Sequence, residues 1–160
     1  MWTVMDSPVG ELRITEHDGA VTAIEFAPFR PPGDGAPRGE RDDACPVLAE
    51  AVRQLRAYFA RELTDFDLPL APAGSDFQQR VWKELRTIGY GETASYGQIA
   101  VRLGHTNAAS RAVGLANGRN PIPVVIPCHR VIGADGTLTG YAGGLDRKRL
   151  LLALEVDGLF

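Results

Sequence analysis

A thiol and an imidazole stand side by side at Cys128-His129, inside the otherwise apolar run from Val124 to Ile132. Cysteine reacts as the thiolate, and an adjacent imidazole or cation is what brings its pKa within reach of neutrality. On its own, Cys128 reads more often as an inert buried thiol, which behaves as a small hydrophobe. Adjacent strand residues point to opposite faces, so both side chains can serve one site only where the backbone leaves a regular strand; Pro127 gives it a reason to do so. The expectation is a nucleophile poised as an anion at a bent strand end. A third group belongs with these two. Glu155 lies one turn from Leu151 and Leu152, on the apolar stripe of a final helix over Asp146 to Val156, and a carboxylate there needs a partner. His129 is the candidate, giving a Cys-His-Glu relay; the alternative is a solvated glutamate near a fraying helix end.

The elements that must hold these groups are mainly helical. Ser75 and Gln78 have capping-box spacing ahead of a stripe of Phe77, Val81, Trp82, Leu85 and Ile88. Ser95 and Gln98 repeat the signal and open a short helix through Ile99, Ala100 and Leu103 that ends at Gly104. A further helix runs from near Asn107 to Gly118, and the pair has helix-turn-helix proportions. This second helix is built of small residues, Ala108, Ala109, Ser110, Ala112, Gly114 and Ala116, with Arg111 as its one long cation. Such a slim helix suits close approach to another surface and equally suits packing against a neighbouring helix. Asn120, before Pro121, cannot continue it. Thr139 to Gly144 is a glycine-rich loop without the Lys-Ser/Thr ending of a phosphate cradle.

The N-terminal half alternates as strands do, over Trp2 to Met5, then Leu12 and Ile14, then Val21, Ile24 and Phe26, with turns at Ser7-Pro8 and Asp18-Gly19. This predicts a small antiparallel meander. Residues 28–43 hold four prolines and three glycines and read as a mobile loop. A helix from Pro46, with Val47, Leu48, Val52, Leu55 and Phe59 on one face, covers the sheet. Asp65 to Ala73 reads as a linker. The fold class is therefore α+β, in two domains: residues 1–73, a small antiparallel sheet with a helix, and residues 74–160, a helical helix-turn-helix domain carrying the cysteine.

Composition bounds the function. The chain has 160 residues, no basic-then-apolar leader and no apolar run of membrane-spanning length, so the expectation is a cytoplasmic protein without a membrane partner. Two cysteines, Cys45 and Cys128, make neither a disulfide framework nor a cysteine zinc site, so no metal and no cofactor is expected. Arg outnumbers Lys 15 to 2, a weak hint of a GC-rich bacterial genome. The net charge of −3 conceals an asymmetry: residues 1–75 carry 7 Arg and Lys against 13 Asp and Glu, and residues 76–160 carry 10 against 7. No acid occurs between Glu92 and Asp135, where Arg102, Arg111, Arg119 and Arg130 fall. A local positive surface is what phosphate contacts require, and a solvated face lacking acids is the plainer reading.

Taken together, these residues resemble the O6-alkylguanine-DNA alkyltransferases, which reverse DNA alkylation directly. Pro127-Cys128-His129-Arg130-Val131 matches the family's active-site block. In order around it stand Phe77 to Trp82, Tyr90-Gly91-Glu92-Thr93, Ser95-Tyr96, Arg111-Ala112-Val113-Gly114, Asn120-Pro121, Gly140 to Gly144 and Glu155. The resemblance implies an RNase H-like first domain and a winged-helix-like second one. It also implies single-turnover transfer of an alkyl group from O6-alkylguanine, and O4-alkylthymine, in double-stranded DNA to Cys128. Of the catalytic residues it implies, His129 is the base, Glu155 orients it, Tyr96 donates to the leaving base, and Asn120 supports the thiol. Arg111 enters the duplex where the flipped base was, and Ser95, Ala112, Gly114 and Arg119 share the minor-groove face. The carbonyls of Cys128 and Val131 and the amide of Ala142 hold the guanine edge, with Tyr141 and Pro123 lining the pocket. A monomer in solution is expected.

Two departures accompany the match. The turn Gly104-His105-Thr106-Asn107 is one residue longer than the common form, and the zinc ligands that some relatives carry near the N-terminus are missing. Two other functions compete: a lesion-recognition module without transfer, whose known examples replace the cysteine, commonly with Trp, and a thiol hydrolase, which would turn over.

Overall fold

In the first 26 residues apolar side chains alternate with polar ones, and this pattern folds as an antiparallel meander of β1 (Trp2–Met5), β2 (Leu12–His17) and β3 (Ala20–Phe26), in spatial order β1-β2-β3. The computed structural model describes residues 1–29, 39–141 and 143–156. Asp18 and Gly19, both at positive φ, make the tight hairpin turn expected of an Asp-Gly pair. Leu12, Ile14, Val21 and Ile24 are buried under α1 (Pro46–Phe59), which lies on the strands through Leu48, Ala51, Leu55 and Tyr58. Val47, Val52 and Phe59, expected on that face, are only half-buried. The helix is rotated so that Gln54 also points inward, where it exchanges hydrogen bonds with the backbone of Asp67.

Both sheet edges are occupied, which removes exposed ladder groups. Trp2 N donates to Glu40 O and Asp42 N to Trp2 O along one edge. Val21 N donates to Pro69 O and Ala71 N to Val21 O along the other. Two expectations need correcting: residues 39–43 of the loop predicted to be mobile are pinned to β1, and much of the predicted linker is an edge partner of β3. Residues 30–38 of that loop lie outside the described residues. The polypeptide forms two compact units, Met1–Pro72 and Ala73–Phe160.

The second unit opens with α2 (Asp76–Leu85), capped reciprocally by Ser75 and Gln78. The strand β4 (Ala94–Ser95) runs directly into α3 (Tyr96–Arg102), whose capping box is Ser95 and Gln98. Gly104, at φ 84°, ends α3: its N–H bonds Val101 O, and the next N–H, of His105, reaches back to Ala100 O. The added turn residue is thus absorbed in a helix-stop motif, with the His105 ring edge-on to Phe77. Asn107–Ala109 form a 3-10 turn, and α4 (Ser110–Gly118) follows, slightly later than the sequence suggests. Gly97 permits this fold-back, because a Cβ there would sit 1.9 Å from Asn107 Oδ1. The chain closes with β5 (Val131–Ile132), parallel to β4, and α5 (Leu145–Val156).

Candidate active site

The apolar run before the thiol is not a strand. Residues 121–127 are irregular, Cys128–Arg130 form a 3-10 turn, and only Val131 and Ile132 pair as β5. The expected bent strand end is therefore a helical turn, which corrects the backbone while keeping the departure from a regular strand. Asn120 holds the irregular run: its Oδ1 accepts from Ile122 N at 2.9 Å, and its Nδ2 donates to Ile126 O at 2.8 Å. This clamp has work to do, since Val124 sits at φ 73°, a strained value for a β-branched residue. Asn120 also acts to lower the pKa of the Cys128 thiol.

Cys128, His129 and Arg130 are all buried. Glu155, on the inner face of α5, is equally buried and is the hub: His129 Nε2 lies 2.7 Å from its Oε2, and Arg130 donates Nε to Oε1 at 2.8 Å and Nη2 to Oε2 at 2.9 Å. A carboxylate only accepts, so His129 carries its proton on Nε2 and presents Nδ1 as the basic nitrogen. Among the described residues nothing hydrogen-bonds Nδ1. Burial pushes the imidazole pKa below its ordinary value, against the pull of Glu155, so the ring is neutral at pH 7.

The electrostatics overturn one expectation. Burial raises the Cys128 thiol to about 11, and the nearby Asn120 carboxamide and the charge of Lys148 only partly oppose it. The thiol is not poised as an anion; it must lose its proton when it reacts. Arg130 also departs from the sequence reading, because it is an interior ion-pair partner that bonds Ile88 O as well, not a member of the positive surface. Arg102, Arg111 and Arg119 are exposed.

The other expected residues fall as follows. Tyr96, half-buried at the start of α3, shares a 2.7 Å hydrogen bond with Thr139 Oγ1. Ser95 is engaged in its capping box, and Ala112 is exposed on α4 beside Arg111. Gly114 places α4 against the Tyr96 ring, with room for a Cβ at 3.7 Å. Val131 and Pro123 are buried, and burial holds the Tyr141 hydroxyl protonated well above neutrality. Ala142 lies outside the described residues.

Sequence reasoning missed two contributors. Lys148, fully buried, donates Nζ to Val131 O at 2.6 Å and to Thr139 O at 2.9 Å, so it ties α5 to β5 and the following loop. Its signal was present: Lys148, Leu151 and Glu155 share one helical stripe. Asn117, buried on α4, donates Nδ2 to Cys128 O at 3.3 Å. Among the described residues no cluster of three His, Cys, Asp or Glu could hold a metal ion, and no helix is long and apolar enough to cross a membrane.

A helix-turn-helix backed by a cysteine, a neutral histidine and a shared carboxylate defines a class, proteins that bring a thiol nucleophile to DNA. The sequence profiles described as 6-O-methylguanine DNA methyltransferase match twice: the ribonuclease-like domain over residues 1–72 and the DNA binding domain over residues 76–157. The methylated-DNA–protein-cysteine methyltransferase of Mycolicibacterium paratuberculosis is 53% identical over 156 residues, covering 96% of this chain and 91% of the relative. That of Methanosarcina acetivorans is 47% identical, covering 96% and 97%. A crystal structure of Mycobacterium tuberculosis OGT in complex with DNA superposes with a TM-score of 0.83 at 50% identity, covering 97% and 92%. The chain belongs to the 6-O-methylguanine DNA methyltransferase family.

Proposed function

We infer that this protein repairs DNA by direct reversal, as a methylated-DNA–protein-cysteine methyltransferase, with Cys128 as the acceptor of the alkyl group from O6-alkylguanine. The arrangement that carries the reading is the neutral His129, fixed by Glu155 with Nδ1 free to take a proton, next to a buried thiol. His129 Nδ1 accepts the Sγ proton through a bridging water, and the sulfur attacks the alkyl carbon in line. The S–C bond forms as the C–O6 bond breaks, and the electron pair stays with the guanine. Tyr96, whose hydroxyl is held by Thr139, donates to the departing base. The product is a thioether, which water does not reverse, so each molecule acts once.

A base stacked in a duplex cannot meet a buried thiol, so the lesion must rotate out of the helix. Arg111, exposed on a helix of small side chains, fills the place it leaves, and Ala112, Gly114 and Arg119 line the minor groove with it. Phosphate contacts from the exposed arginines position the protein without reading sequence. The flipped base is then held by the pocket of Val131, Tyr141 and Pro123, which also takes O4-alkylthymine. The protein acts in the cytoplasm as a monomer. The retained Cys128 speaks against a recognition-only role.

Incubation with excess methylated oligonucleotide tests the reading: uptake should stop at about one methyl group per protein, and peptide mapping should place it on Cys128. Continued turnover, or label on Cys45, would refute it.

A further inference from the structure

The two faces of α4 are sharply divided. Val113, Ala116 and Asn117 are buried where the helix packs on α2 and α3, and Trp82 Nε1 donates to Ala116 O at 2.8 Å on that side. Arg111, Ala112, Leu115, Gly118 and, at the C-cap, Arg119 are exposed. At about 100° of rotation per residue, Leu115 lies about 40° from Arg111 and about 40° from Arg119, in the middle of the solvent face.

Leu115 is the one large apolar residue on that face, and it is 64% exposed. A lone exposed leucine is ordinary on a protein surface. This one is bracketed one turn on either side by a guanidinium group, within a stretch that has no acid between Glu92 and Asp135. A surface with cationic edges and an apolar centre complements a duplex groove, where phosphates run along the rims and deoxyribose rings form the walls.

We propose that Leu115 is an apolar DNA contact, packing against the deoxyribose walls of the minor groove between Arg111 and Arg119 and supplying affinity that salt does not screen. The proposal rests on the reading above that α4 meets DNA. Burying a leucine releases no counterion, so its contribution is insensitive to ionic strength, whereas each phosphate contact steepens the fall of affinity with salt. Arg119 and Leu115 therefore hold the same helix to the duplex by two forces with different salt dependence.

Calorimetric titration with a short unmodified duplex at several salt concentrations and temperatures tests this. Leu115→Ala lowers affinity about tenfold at every salt concentration, leaves the salt slope unchanged and makes the heat-capacity change of binding less negative. Arg119→Ala instead reduces the salt slope by about one. The unfolding midpoint of Leu115→Ala stays within about 2 °C of that of the unaltered protein, as for any exposed site. Unchanged or tighter binding by Leu115→Ala, or a loss seen only at low salt, would overturn the proposal. So would a free protein that sediments as a dimer and becomes monomeric in Leu115→Ala, because the face would then belong to a second copy of the chain. If Arg111→Ala, Arg119→Ala and Leu115→Ala all bind as the unaltered protein does, α4 is not the helix that meets DNA and the underlying reading fails with the proposal.

Discussion

His129 Nε2 and Glu155 Oε2 lie 2.7 Å apart, and Arg130 grips both oxygens of the same carboxylate. One side chain therefore orients the base and compensates a buried guanidinium. Glu155→Ala, which strands Arg130, is expected to lower unfolding free energy by about 3–5 kcal/mol, measured by urea titration. Glu155→Gln keeps the shape but frees the imidazole tautomer, and single-turnover methyl transfer should fall about a hundredfold. An unchanged transfer rate in Glu155→Gln would remove His129 orientation from the mechanism.

The thiol pKa of about 11 sets a pH signature. The thiolate is the deprotonated form, so below that pKa its fraction grows about tenfold per pH unit. Alkylation of Cys128 by iodoacetamide, followed by peptide mapping to separate it from Cys45, should keep rising from about pH 6 to about pH 9. A plateau near neutrality would mean that the resting sulfur is already an anion.

Lys148 is the buried cation whose charge favours that thiolate. Lys148→Met should raise the thiol pKa further and slow iodoacetamide alkylation at a fixed pH near 8. Faster alkylation with intact near-ultraviolet dichroism would contradict the charge coupling.

Histidine burial predicts a stability trend. His129 is held below the ordinary value of 6.5, so on acidification the unfolded chain takes up a proton that the folded chain refuses. This contribution is present above about pH 6.5 and declines as pH falls below it. Unfolding free energies measured across that range should show the decline, and His129→Gln should flatten it.

The exposed arginines divide labour with the thiol. Cys128→Ala should abolish transfer and keep DNA binding, whereas Arg111→Ala should mainly impair capture of the lesion. Affinity should fall steeply with added salt as counterions are released. Gel-shift titrations at several ionic strengths measure both, and a flat salt response would move the DNA face elsewhere.

The meander, the two capping boxes and the helix-turn-helix were legible in the chain because each depends on residues within a turn or a hairpin of one another. Ser95 and Gln98, for example, cap α3 whatever surrounds it. The Cys128-His129-Arg130 segment was legible in its chemistry and misread in its backbone: an apolar run before a proline looks like a strand, yet clamping by Asn120 folds it into irregular turns. The inward face of α1 was read slightly wrong for a related reason, since Gln54 found backbone partners at Asp67 that no helical periodicity announces.

By itself, the order of residues determined which groups could react and that a carboxylate on the apolar helix stripe would need a partner, because side-chain chemistry and helical stripes are local properties. Only the tertiary structure decided that Arg130 turns inward, that Lys148 and Asn117 reach the carbonyls of Val131 and Cys128, and that the thiol rests protonated. Burial and charge compensation depend on partners 11 to 42 residues away along the chain, from Asn117–Cys128 to Arg130–Ile88, and desolvation outweighs the neighbours that sequence proximity alone suggests.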